Sequence, residues 1–139
     1  MSARSKARKQ ALDILYEADI RSTDPLQLLV SRRSLASQDD VPQLREYTEL
    51  LIEEISNHRR KIDELIVTYS KGWDMDRLAA VDRNILRLGI YEILWSSDVD
   101  DSVAISEALI LAKNLSGDDS AAFIHGLLST IIDIQHSIY

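Results

Sequence analysis

This chain of 139 residues contains side chains capable of acid–base and nucleophilic chemistry, but not at the spacings that chemistry requires. His58, His125 and His136 stand at none of the spacings of metal ligands, and no His-Glu-x-x-His string occurs. Cysteine is absent, which removes disulfides, thiolate metal sites and a thiol nucleophile together. No serine lies in a Gly-x-Ser-x-Gly turn, and Gly72, Gly89, Gly117 and Gly126 are too scattered to cradle a phosphate. The acidic pairs Glu53 with Glu54, Asp63 with Glu64 and Asp100 with Asp101 are sequence neighbours. On a helix such neighbours point about 100° apart, so they mark solvated faces rather than facing carboxylates. The expectation is a protein that is not an enzyme and uses neither metal nor cofactor.

Binding chemistry is easier to find. Arg4, Lys6, Arg8 and Lys9 stand together with no acid among residues 1–9. The remaining residues carry the other 12 basic side chains and all 23 acidic ones, a balance of −11. Cations at the amino end of a helix oppose its dipole, each at a cost of roughly 0.3 to 1 kcal/mol before screening. Either the end is frayed and the charges form a solvated tail, or they face a polyanion. With Arg4 at zero on the helical wheel, Arg8 falls at about 40°, Lys9 at about 140° and Lys6 at about 200°, with the apolar stripe near 320°. The cations can therefore be presented while the helix stays docked.

Four charges are few for duplex DNA, and the acidic remainder would repel a long duplex. A short single strand of RNA suits them better, held by phosphate contacts and by stacking on an aromatic ring. Phe123, the only phenylalanine, and Tyr16 are the candidate rings. A plain core aromatic is the alternative for Phe123. The acidic remainder either steers a basic partner protein or only aids solubility.

The elements that must position these residues read as all-α and as one domain. Only Pro25 and Pro42 occur, and no proline follows Pro42. Arg4–Arg21 reads as a first helix with an inner stripe of Ala7, Ala11, Ile14, Leu15 and Ala18. Asp24 and Pro25 open a second helix, to about Ala36. Ser37–Pro42 reads as a polar loop. A third helix starts near Gln43 and buries Tyr47, Leu50, Leu51 and Ile55, and a break near Asn57 begins a fourth with Ile62, Leu65, Ile66 and Tyr69 inside.

Gly72 ends that helix, and Asp76 caps a fifth that runs to about Ser96, apolar around most of its circumference and hence central. Asp101 or Ser102 caps a sixth, with Ile105, Ala108, Leu109, Ala112 and Leu115 inward, closed by Gly117. Asp118 or Asp119 opens a seventh that buries Phe123, Leu127, Leu128 and Ile131. The longest stretch without charge, Ser120–Ile132, has 13 residues, short of the roughly 18 a membrane span needs. Asp13 and Glu17 interrupt any apolar run that would follow the basic start as in a signal peptide. A cytoplasmic protein is expected, with no membrane contact.

Four strings carry a family resemblance: Ala7–Asp19 (AlaArgLysGlnAlaLeuAspIleLeuTyrGluAlaAsp), Ala80–Glu92 (AlaValAspArgAsnIleLeuArgLeuGlyIleTyrGlu), Val103–Lys113 and Asp118–Leu128. In this order, over nearly the whole chain, they resemble the NusB family of bacterial transcription antitermination factors. The resemblance implies a compact bundle of about seven helices in two subdomains, helices one to three over about 4–57 and helices four to seven over about 58–138. It implies binding to the boxA element of single-stranded nascent RNA, notably in ribosomal RNA operons, together with NusE, a small-subunit ribosomal protein. NusA, NusG and RNA polymerase would complete the complex, which reads through terminators without catalysing a reaction.

By position, the family's basic start implies RNA contacts at Arg4, Lys6, Arg8 and Lys9. Its second RNA region falls on Asp119, Ser120 and Phe123, and its partner surface for NusE on Tyr16 and Asp82. An acid on a mostly apolar helix, as Asp82 is, is either solvated at a seam or reserved for a basic partner. Two departures stand out. His125 replaces the usual asparagine, and Ala121 and Ala122 precede Phe123 where a basic residue is common. The second RNA region would then grip less and the basic end more. A NusB-like domain ahead of an RNA cytosine methyltransferase is not expected, since no methyl-donor fold follows Tyr139. The competing reading from another class is a protein-only helical interaction module, a homodimer whose basic end meets an acidic patch on its twin.

Overall fold

In the computed structural model, which describes residues 2–35 and 42–138, Ser2 opens the first helix. Its hydroxyl accepts the backbone N–H of Ser5 at 3.0 Å, satisfying one of the donors that a helix start leaves bare. Helix α1 then runs Ala3–Arg21 and ends at Ser22, whose left-handed backbone (φ 54°) returns its N–H to the Ala18 and Asp19 carbonyls. Every regular element among the described residues is helical. The chain divides into two compact units, Met1–Asn57 and His58–Tyr139.

In the first unit α1 is followed by α2 (Pro25–Leu35) and α3 (Glu46–Asn57), each packed on the other two. Asp24 Oδ1 accepts the Leu26 N–H at 2.9 Å, so the Asp-Pro pair starts α2 as its chemistry dictates. The expected loop over residues 37–42 lies outside the described residues except at Pro42. The inner stripe of α1 is buried as its spacing implies, with Leu12 added. On α3 the buried face is Thr48, Leu51, Ile52 and Ile55, so the expected inward Leu50 is instead 43% exposed. Thr48 sets this rotation. Its hydroxyl lies 3.0 Å from the Ala7 carbonyl and 2.8 Å from Gln10 Oε1, which turns the Thr48 side of α3 onto α1. Arg33 joins α2 to α3 through Glu49 and Glu53, and the hydrogen bond it donates to Glu49 raises the Arg33 pKa.

The second unit comprises α4 (Arg59–Tyr69), α5 (Ala80–Trp95), α6 (Asp101–Leu115) and α7 (Asp118–Ile138), with α5 packed against the other three. Its central position shows in a run from Asn84 to Ile93 that is buried throughout. Gly89 brings α5 close to α7, since a Cβ there would stand 2.8 Å from Leu128 Cδ1. Arg87, nearly buried, donates to Asp63 at 2.9 and 3.3 Å and so ties α5 to α4.

Helix α5 begins at Ala80 rather than at Asp76. Met75–Arg77 forms a separate 3₁₀ turn, and Leu78 and Ala79 are extended, with ψ 139° and 140°. Burial of Leu78 requires that break, and Arg83 stabilises it by donating to the Met75 and Leu78 carbonyls at 3.1 and 2.8 Å. On α6 the buried face is Ala104, Ala108, Leu111 and Ala112, while the expected inward Leu115 is 44% exposed. Alanines four residues apart make a flat stripe that neighbouring helices approach closely. On α7, Ile124, Leu127, Leu128 and Ile131 are buried, and Phe123 is only half-buried. Among the described residues no helix is long and apolar enough to cross a membrane.

Candidate nucleic-acid interface

Helix α1 starts ahead of Arg4, so all four early cations lie on a capped helix rather than on a frayed tail. They do not share one environment. Arg4 and Lys6 are exposed, and the Arg4 guanidinium stands 4.4 Å from the centre of the Tyr47 ring. Lys9 is half-buried and bound to Asp13 at 2.7 Å. Arg8 is 3% exposed, its guanidinium 5.6 Å from the same Tyr47 ring. The expectation that Arg8 is presented to a ligand is corrected here. It sits about 80° from the centre of the apolar stripe, on its flank, whereas Lys6 and Lys9 are about 120° and 180° away.

A polar clamp lies next to these cations. The Gln10 amide donates to the Gln43 carbonyl at 3.0 Å, and its oxygen accepts the Arg45 N–H at 3.1 Å. This draws residues 42–45 along α1 and leaves a cavity of about 590 Å³ bordered by Lys6, Gln10 and Arg45. Arg32, which borders a neighbouring cavity, is paired with Glu17.

In the second unit one cavity of about 390 Å³ gathers Asp82, Asp119, Ser120 and Phe123. The first two turns of α7 supply the last three, and the first turn of α5 supplies Asp82. Trp73, 52% exposed, and Arg77 complete its wall from the segment between α4 and α5. Two aromatic faces and a guanidinium around an open concavity suit an unstacked base, and the carboxylates of Asp82 and Asp119 on the same wall can accept from its edge rather than hold a phosphate.

Asp82, expected on a partner surface, also has partners within its own unit. It is 8% exposed, and both of its oxygens accept hydroxyls, from Ser116 at 2.7 Å and from Ser120 at 2.8 Å. Through these two hydroxyls Asp82 holds the start of α7. Tyr16, 40% exposed on α1, keeps an open face but belongs to the first unit and lines none of these cavities.

Trp73, Arg77 and Arg45 were not among the residues that sequence reasoning singled out. Trp73 carried a usable signal, a large aromatic directly after Gly72, whose φ of +91° marks a turn. Binding residues concentrate on such surface turns. Arg77 and Arg45 gave none, because their meaning depends on what lies opposite.

The NusB family model matches residues 5–133. The transcription antitermination protein NusB of Thermobifida fusca (strain YX) is 46% identical over 136 residues, covering 98% of this chain and 93% of that protein. Its counterpart in Saccharopolyspora erythraea is 50% identical over 135 residues, with 96% and 89% covered. The solution structure of NusB from Aquifex aeolicus superposes with a TM-score of 0.78 at 28% identity, covering 99% of this chain and 92% of that one. A crystal structure of the antitermination factors NusB and NusE in complex with double-stranded RNA gives 0.76 at 26% identity, with 94% and 96% covered.

Proposed function

Because the chain belongs to the NusB family, we propose that it is a non-enzymatic transcription antitermination factor that binds single-stranded boxA RNA together with NusE. In the cytoplasm the pair would join NusA, NusG and RNA polymerase, so that elongation passes terminators, notably in ribosomal RNA operons. RNA contacts come from Arg4, Lys6 and Lys9 in the first unit and from Asp119, Ser120 and Phe123 in the second. Arg8 supports them from inside rather than touching phosphate. Tyr16 carries the contact with NusE, and Asp82 serves by orienting Ser120.

The observation that carries this reading is Phe123, half-buried on a mostly apolar helix and sharing a cavity with Trp73 and Arg77. Arg77 also makes good the basic residue that Ala121 and Ala122 replace: the cation comes from the turn before α5 instead of from α7. A ring kept partly open beside a guanidinium is the recurrent arrangement for stacking a single-stranded base. A long duplex lying across the chain is disfavoured by the −11 balance of residues 10–139.

Titration of a labelled boxA RNA with this chain, with NusE and with the mixture tests the proposal. The mixture should bind more tightly than either protein alone. A chain that sediments as a stable dimer and ignores both ligands would instead be a protein-only interaction module, and the proposal would fail.

A further inference from the structure

The geometry points to a phosphate-binding site in the cleft between α1 and residues 42–45, with Lys6 and Arg45 as its contacts and Gln10 as the residue that holds the Arg45 backbone in place. The inference rests on the RNA-binding reading and extends it to a place that the family strings do not mark. No carboxylate borders the larger cavity among the described residues. The nearby cations Lys9 and Arg32 already have acids, Asp13 and Glu17. Lys6 and Arg45 are both exposed, and among the described residues neither side chain is paired with an acid.

This arrangement is built rather than incidental. Gln10 uses both ends of its amide on the backbone of Gln43 and Arg45, and its oxygen also lies 2.8 Å from the buried Thr48 hydroxyl. A side chain with all of that to hold cannot itself read a ligand. Its effect is to hold the Arg45 backbone against α1, so that Lys6 and Arg45 border one concavity in a chain whose acids outnumber its bases. Two exposed cations bordering one concavity raise its local potential and make it a place for an anion.

The chemistry of the walls selects the anion. An acidic protein segment would want a central apolar or aromatic anchor, and the cleft offers only Pro42 and Leu44 besides its polar residues. A phosphodiester needs cations and amides, which are what is present. Lys6 also belongs to the basic start of α1, so a strand gripped there would continue past Gln10 to Arg45.

The test is Arg45→Ala in the full chain, titrated with a labelled single-stranded RNA across a range of salt. Affinity should fall about three- to tenfold, and the slope of log affinity against log salt should become shallower by about 0.7, the effect of one lost phosphate contact. Arg45→Lys should restore most of that slope, because it keeps the charge. If Arg4→Ala weakens RNA binding while Arg45→Ala changes neither affinity nor slope, the cleft is no RNA site and only this inference falls. Loss of NusE binding with RNA affinity intact would also overturn it, by making the cleft a protein contact. If neither variant alters RNA binding, the cleft and Arg4 both fall as contacts, whereas a parent chain that binds no RNA, with or without NusE, ends the RNA-binding reading itself.

Discussion

Ser120, in the first turn of α7, donates its hydroxyl to Asp82, in the first turn of α5, at 2.8 Å. Ser116 donates to the other carboxylate oxygen at 2.7 Å, so one acid secures the junction between α6 and α7 against the central helix. The same serine borders the cavity that holds Phe123 and Trp73. Stability of the second unit and the shape of its candidate base site therefore share a residue.

Asp82→Ala should for that reason act on folding first. It removes the acceptor of two hydroxyls at a position 8% exposed. Losing a hydrogen-bonded charged partner in a buried setting costs about 1 to 3 kcal/mol. Urea unfolding should show a lower midpoint with an unchanged slope. An unchanged midpoint would mean that water replaces the carboxylate without loss, and Asp82 would return to candidacy as a direct contact.

Arg8 and Lys6 should separate two effects that composition alone merges. Arg8→Glu puts an acid where a guanidinium is 3% exposed, so it should destabilise by more than about 2 kcal/mol. Lys6→Glu changes an exposed position and should alter stability by less than about 0.5 kcal/mol while lowering RNA affinity about tenfold. Thermal melts and RNA titrations on the two variants check this. Equal stability losses would show that Lys6 also has a structural part.

What the sequence made legible follows from what its patterns record. The α1 stripe, the Asp24-Pro25 start and the Gly117 stop are local, set by spacing or by the conformational habits of single residues, and the structure has each of them. The failures are relational. Arg8 lies inside because Tyr47, on another helix, covers it. The α3 face turns because Thr48 finds Ala7 and Gln10. Asp76 looked like a helix cap, but Leu78 has to be buried and interrupts the helix after it. The cavity around Phe123 draws on three separated segments, so only the α7 residues could be placed in advance, through the family strings.

Trp73→Ala and Phe123→Ala should each weaken RNA binding by the worth of one stacked base. That is about 1 to 3 kcal/mol, or roughly five- to 150-fold in affinity. Trp73 is the cleaner probe because it is 52% exposed, and its loss should leave the melting temperature almost unchanged. Trp73→Phe keeps an aromatic face and should recover most of the affinity. If Trp73→Ala binds RNA as the parent does, Trp73 is no part of the base site and Phe123 must act without it.

Salt dependence counts the phosphates. Each contact with a single strand contributes about −0.7 to the slope of log affinity against log salt. With Arg8 withdrawn, Arg4, Lys6 and Lys9 give a slope of about −2, and Arg45 in the cleft brings it to about −3. Lys9 must leave Asp13 to take part, but that pair is partly exposed, at 40% and 53% of the side chains. An exposed pair of this spacing is worth about 0.3 to 0.5 kcal/mol, too little to withhold the lysine from a phosphate. The measured slope should therefore lie near −3 for the intact chain and near −2 for Arg45→Ala, and a slope near zero in both would remove the basic start of α1 as an RNA contact.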